Sequence, residues 1–446
     1  MTSADAVRLD PTDVAQAGSR RDAWEPELGA VVDWLDPPVA GRADGPLAGV
    51  VTGIKDLIAI GGVPRACGAP GLTDPAPQCD HATAVARLLD AGAVITARLA
   101  LHQFAFGIIT PQTRNPRAPD RVAGGSSGGS AAALAAGMVQ ASLGTDTGGS
   151  VRIPAACCGV VGLKTTRGLV PLSGVQPLAP SLDTVGPLAR TVADTATLLD
   201  VIAGHDPEDD DSVEPQPAAG PPPLDQLRVG VPSQIRGARM DADVRAVWES
   251  TLADLAAAGG RLIDVDIPPL RGAHVANGRI LAAEAALTHA ERLAEHADRF
   301  WPDVRARLER GRAMAATDLA AAYRQASRLR AALRRTFTLV DVLITPTLPC
   351  RVPVVSTDPV VVGGEPESVV TAMTRFTNPW NLSGVPAGTV PAGADGDGAP
   401  VGVQVVGPWF AEPTVLAVME AVQDLRGGPA PLEPAPDGRT GRPPVE

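Results

Sequence analysis

From residue 47 to about 205, short β-like apolar runs alternate with alanine-rich helical ones, and this alternation narrows the fold more than any other feature of the chain. "LAGVVTGI" reads as a strand. "HATAVARLLDAGA" follows with helical apolar spacing at Val85, Leu88 and Leu89 and with Gly92 where a helix would end. "AVITARL" is strand-like again, and "SAAALAAGMV" reads as a helix. Strands that alternate with helices predict an α/β sheet covered by helices on both faces.

The segments on either side follow from the same reading. Residues 1–46 read as an N-terminal helical segment that ends in the turn "DPPVAGRADGP". Residues 206–223, "DPEDDDSVEPQPAAGPPP", are acidic and proline-rich, which predicts a surface connection and a candidate boundary. Residues 224–425 then bring a strand, "LRVGVP", and a helix whose apolar face is Val244, Val247, Trp248, Leu252 and Leu255, closed by Gly259 and Gly260. "RLIDVDIP" returns as a strand, and residues 277–339, dominated by Ala, Arg and Glu, are expected to be helical. "DVLITPTLP" and "VGVQVVG" are late strands able to complete the first sheet, and residues 426–446 are expected to be a disordered tail. Length alone, 446 residues, suggests two or three domains.

A net charge of −12 with no basic stripe argues against nucleic acid as a partner. No run of about 18 apolar residues occurs, so no membrane span is expected. Nor does the N-terminus have the basic and apolar regions of a signal peptide. The five cysteines are odd in number and fit no zinc spacing, and the six histidines are scattered. Reduced cysteines, a cytoplasmic location, no metal and no cofactor are therefore expected.

Two residues stand out chemically. Of the 38 basic residues only Lys55 and Lys164 are lysine. Arginine cannot lose its proton in a protein, whereas a desolvated lysine can become a base. Lys55 lies among Val50, Val51, Ile54, Leu57 and Ile58, although a solvated lysine paired with the adjacent Asp56 is the commoner arrangement. The densest signal is "AGGSSGGSAAALAAGMVQASLGTDTGGSVRIPAACCGVVGLK", residues 123–164. A flexible linker would not run at once into a helix former and a strand. A phosphate cradle would show GxGxxG or GxxxxGK[ST], and neither is present. A nucleophile site remains, in which glycines let backbone N–H groups converge on an oxyanion and Ser150 closes the turn. A hydroxyl nucleophile needs a base; the nearest histidine upstream is His102, whereas Lys55 stands in an apolar strand.

With those residues in place, the sequence resembles the amidase signature family, serine hydrolases that cleave carboxamides with a Ser–Ser–Lys triad. The likeness runs from about Leu47 to Arg190 and resumes in "DVLITPTLP", "FTNPWNLSGVPA" and "PVGVQVVGP". It implies one large α/β domain with a central mixed sheet. It also implies Ser150 as nucleophile, Ser126 as bridging serine after a cis peptide, and Lys55 as general base. The backbone N–H groups of Thr147, Gly148 and Gly149 would form the oxyanion hole, with Ser127, Asp146 and Arg152 bracing the site. Lys164 matches a family landmark outside the triad. The implied reaction is hydrolysis of a small carboxamide, with aliphatic or urea-like amides favoured by an aromatic content of only 3%. The alternative is the glutaminase-type component of a tRNA-dependent amidotransferase complex. The expected partner is a small-molecule amide, and a homodimer is compatible with the sequence. Departures fall at Thr165, Ala97, Arg98 and Gln103 and in the short segment after His102, which in the family flanks the substrate.

Overall fold

The computed structural model describes residues 14–216, 220–427 and 432. The strands are β1 (Val31–Ala40), β2 (Val51–Lys55), β3 (Val94–Leu99), β4 (Ala141–Thr145), β5 (Val161–Lys164), β6 (Val185–Ala189) and β7 (Arg228–Pro232). They continue with β8 (Arg261–Val265), β9 (Val342–Pro346), β10 (Val360–Val362), β11 (Glu365–Glu367), β12 (Ala387–Ala394) and β13 (Pro400–Val406). Eleven of them form one sheet in the order β1-β3-β2-β4-β6-β5-β12-β13-β9-β7-β8, and β10 and β11 pair separately. Strands β3, β2 and β4 run parallel, as do β9, β7 and β8, while an antiparallel block joins the two groups. The sheet is therefore mixed and continuous, and the chain is a single α/β domain, not the two or three that its length suggests.

Burial follows from sheet position. Every residue of β2, β4, β5, β6 and β9 is buried, which requires cover on both faces. The alanine-rich helix Gly128–Ala135 is buried along its whole length beneath β2 and β4. On the helix Ala242–Ala257 the predicted stripe is real: Val244, Trp248, Leu252 and Leu255 are buried and Val247 packs beside them. The Trp248 ring also donates its N–H to the Ile344 carbonyl, 3.2 Å away. Residues 277–339 are helical for most of their length, in Ala273–Thr288, Ala290–His296, Pro302–Arg312 and Ala316–Thr336.

The N-terminal segment differs from expectation. After the helix Val14–Leu28 the chain forms β1, which pairs antiparallel with β3 from Val31 opposite Leu99 to Ala40 opposite Val94. "VVDWLDPPVA" carries three valines and one tryptophan, but its two prolines suggest a turn. At a sheet edge they are tolerated, because one side of the strand needs no N–H donor. The register breaks between Trp34 and Val39, around those prolines.

The acidic stretch after residue 205 is a surface connection but not a domain boundary, since β7, β8 and β9 join the same sheet. Its carboxylates serve as acceptors: Asp206 for Thr83, Asp209 for the Leu172 N–H, and Asp211 for Arg167. Apart from Arg426, Gly427 and Leu432, the expected disordered tail lies outside the described residues. Among the described residues no helix is long and apolar enough to cross a membrane, and no group of three or more His, Cys, Asp or Glu is placed to hold a metal ion.

Candidate active site

Strands β2 and β4 are parallel neighbours, so their carboxyl ends open on the same edge of the sheet, where α/β folds bind ligands. Lys55 is the last residue of β2 and Thr145 the last of β4. Ser126 and Ser127 precede the helix Gly128–Ala135, and Asp146–Ser150 link β4 to the helix Arg152–Cys158. The two loops are tied where the Ser127 N–H donates to the Ser150 carbonyl, 3.2 Å away, and the Gly125–Ser126 peptide is cis.

Lys55 is fully buried, and its Nζ lies 2.8 Å from Ser126 Oγ and 2.8 Å from Thr145 Oγ1. Burial is the main influence on its pKa, pulling it down to about 7 against the charges of Asp146 and Asp183. The surface pair with Asp56 does not exist. Asp56 is bound instead by Arg98, at 2.7 Å, so an arginine that departs from the family pattern holds that carboxylate. Lys164 is equally buried and also lowered to about 7, chiefly by desolvation, but its Nζ donates to the Thr165 carbonyl. Both lysines of the chain are thus interior groups, and only Lys55 touches a serine of the cluster.

Asp146 organises the loop around Ser150. Its carboxylate accepts from the Gly149 N–H at 2.8 Å and the Val151 N–H at 3.1 Å, and from Arg152 Nε at 3.0 Å and Nη2 at 2.9 Å. Burial alone would raise its pKa, but the Arg152 charge and bonds from Arg152 and Asn381 prevail and hold it at about 2. Arg152 is satisfied by Asn381, Gln404 and the Thr377 carbonyl. Ser127 Oγ donates to the Thr145 carbonyl, so Ser127, Asp146 and Arg152 are all hydrogen-bonded within the loops that carry Ser126 and Ser150.

The three expected oxyanion donors differ in their bonding: the Gly149 N–H donates to Asp146 Oδ1, 2.8 Å away. Among the described residues the N–H groups of Thr147 and Gly148 have no internal acceptor, and both residues line the cavity beside Ser150. Gly149 instead supplies the turn. Its φ is +127°, and a Cβ there would lie 2.4 Å from Thr377 Oγ1, which donates to the Gly148 carbonyl. Gly149→Ala is therefore expected to destabilise the protein by roughly 1–3 kcal/mol in urea unfolding. A loss below about 0.5 kcal/mol would contradict this account of the turn.

The cavity at Ser150 has a volume of about 250 Å³. Phe106, Ile108, Leu178, Leu281 and Val370 supply apolar walls, and the segment after His102 does flank the space. His274 and Asn378 face it together: Asn378 Nδ2 lies 2.9 Å from His274 Nδ1. Burial lowers the His274 pKa and so disfavours the charged ring. Sequence reasoning missed Thr145, Thr377, Asn378, Asn381 and Gln404. "FTNPWNLSG" is visible as a motif, but nothing local assigns its polar residues to Arg152. Gln103 is structural, with its Oε1 accepting from the Trp301 N–H at 2.8 Å.

Comparison with known proteins gives the family and the fold. The model of the family described as Amidase matches residues 33–416. The chain is 37% identical to the A component of the glutamyl-tRNA(Gln) amidotransferase of Synechococcus sp. (strain RCC307), over 90% of this chain and 91% of that one. It is 40% identical to an amidase of Pseudomonas putida, over 84% and 81% of the two chains. A crystal structure of an amidase superposes with a TM-score of 0.82 at 33% identity, covering 94% of this chain and 96% of the other.

Proposed function

The chain belongs to the amidase family, and from that premise we propose that it hydrolyses the C–N bond of a small carboxamide through an acyl-enzyme on Ser150. The observation that carries this reading is Lys55: a buried amine, lowered to about 7, at 2.8 Å from Ser126 Oγ. Neutral Lys55 donates one N–H to Thr145 Oγ1 and accepts the Ser126 proton on its lone pair. Ser126 takes the proton of Ser150, and Ser150 Oγ attacks the carbonyl carbon. The N–H groups of Thr147 and Gly148 receive the oxyanion, an arrangement whose removal in other hydrolases costs about 3 kcal/mol. The proton returns through Ser126 to the nitrogen, the C–N bond breaks, and ammonia or an amine leaves. Water then adds to the ester, and its cleavage releases a carboxylic acid and restores Ser150. Small apolar walls favour a short aliphatic acyl group. All five cysteines are free, four of them buried, which suits a reducing cytoplasm.

Labelling separates nucleophile from relay. A fluorophosphonate is expected to modify Ser150 and leave Ser126 untouched, as read by peptide mass spectrometry. Ser150→Ala should abolish the adduct, whereas Ser126→Ala should only slow it, because the nucleophile and the oxyanion donors remain. An adduct on the Ser126 peptide would reverse the two roles.

A second reading, the glutaminase-type component of an amidotransferase complex, is favoured by the 37% identity to the Synechococcus protein. Ammonia release by the purified chain alone, eluting as a monomer or homodimer on size exclusion, decides for the independent amidase.

A further inference from the structure

His102 opens the segment that walls the cavity at Ser150, and hydrogen bonds fix it from both sides. Its backbone N–H donates to the Ser126 carbonyl at 3.2 Å, and Nδ1 of its buried ring lies 2.5 Å from the Ile109 carbonyl. A carbonyl oxygen only accepts, so Nδ1 carries the proton of that bond. One side chain therefore bridges the two ends of residues 102–109, and Ala105, Phe106, Gly107 and Ile108 between them line the cavity. Such a segment needs a constraint. Phe104 and Ala105 hold φ of 50° and 59°, a left-handed region that non-glycine residues seldom occupy. On the outer side Nε2 lies 3.2 Å from Asp303 Oδ2, and Asp303 pairs with Arg307, which donates to the Phe106 carbonyl.

Gly107 records the same fit. Its φ is not positive, so its backbone does not require glycine. A Cβ there would lie 2.3 Å from both Cε1 and Nε2 of His102. The ring thus takes the space that a side chain at 107 would need.

We propose that His102 is a positioning residue that limits the length of the acyl group: held on Ile109 and packed against Gly107, its ring keeps the wall from Phe106 to Ile108 from receding. The proposal rests on the amidase reading and concerns the acyl side of the same site. Among the described residues the ring makes no hydrogen bond to Lys55, Ser126 or Ser150, so the length limit and the chemistry are separable.

The test follows turnover of p-nitrophenyl butanoate and octanoate. Wild-type protein is expected to favour the butanoate by roughly tenfold or more in kcat/KM, with the difference in KM, because misfitting methylenes cost factors of that size. His102→Leu fills the space but cannot donate, and the preference should fall to near one through KM. His102→Asn offers an N–H close to the place of Nδ1 and should keep most of the preference. A merely structural role would instead slow both esters equally and give no rescue by asparagine. Gly107→Ala should lower the melting temperature, and the drop should be far smaller in His102→Ala protein, where the clash is gone. Equal use of both esters by wild type, a preference that survives His102→Leu, an asparagine variant no better than the leucine one, or an equal Gly107→Ala effect in both backgrounds overturns the proposal. If neither ester is turned over and Ser150 takes no fluorophosphonate, the amidase reading fails. Hydrogen–deuterium exchange over residues 103–110 then decides the positioning role by itself: exchange should be clearly faster in His102→Leu than in wild type and His102→Asn, and equal rates refute it.

Discussion

Replacing Lys55 by arginine is expected to lower kcat/KM by at least ~10²-fold, nearly as much as replacing it by alanine, because a general base is worth about that factor. Arginine keeps the positive charge and most of the length, so a merely electrostatic or packing role would be partly rescued. A base would not be, since arginine cannot give up its proton. Wild-type activity should also rise with pH through about 7, the value to which burial brings Lys55. The sign follows from the charge type: below that value the amine is protonated and cannot accept the Ser126 proton, and above it the lone pair is free. Lys164 shares the same depressed pKa, but it faces the Thr165 carbonyl and has no serine to deprotonate. An arginine variant retaining more than a tenth of the activity, or a profile flat from pH 6 to 8, would remove Lys55 from the role of base.

Arg152→Met is expected to destabilise the protein by about 3–5 kcal/mol in urea unfolding, the usual cost of leaving one member of a buried ion pair uncompensated. Both side chains of the pair are fully buried, and Asp146 also holds the Gly149 and Val151 N–H groups. The loss should depend on pH in a stated direction. In the wild type Asp146 titrates at about 2, below its ordinary 3.8, so its stabilising contribution is full above about 4 and disappears as pH falls through 2. Without Arg152, burial would push the Asp146 pKa above 3.8, and the variant would lose stability as pH rises through that raised value. The difference between wild type and variant should therefore be larger at pH 7 than at pH 4. Adding Asp146→Asn to Arg152→Met should recover part of the loss, because the orphaned charge is gone. A loss below about 1 kcal/mol, or one independent of pH, would show that the pair does not hold this loop.

Much of the site was legible because its residues break local rules. Lys55 is conspicuous only because 36 of the 38 basic residues are arginine, and an apolar strand is a costly place for an ammonium. Ser126 and Ser150 sit in glycine-rich turns that open directly into helices, a pattern with few structural uses. The alternation of strand and helix from residue 47 onward likewise follows from side-chain periodicity, which the backbone geometry imposes residue by residue. The helix Ala242–Ala257 was readable for the same reason.

What only the tertiary structure decided are contacts between residues far apart in the chain. Thr145 reaches Lys55 across 90 positions and Gln404 reaches Arg152 across 252, and both depend on the order of strands in the sheet. Periodicity reports which face of a strand is apolar but not which strand lies beside it. The same limit explains β1, whose prolines suggest a turn until an edge position next to β3 makes them harmless. It also explains Gly149, whose N–H is claimed by a carboxylate three residues earlier because Arg152 and Asn381 keep that carboxylate charged and oriented against the cost of burial. The types of residue at the centre of the site were therefore written in the sequence. Their orientation and charge state came from packing, which alone decides what each side chain loses when water is excluded.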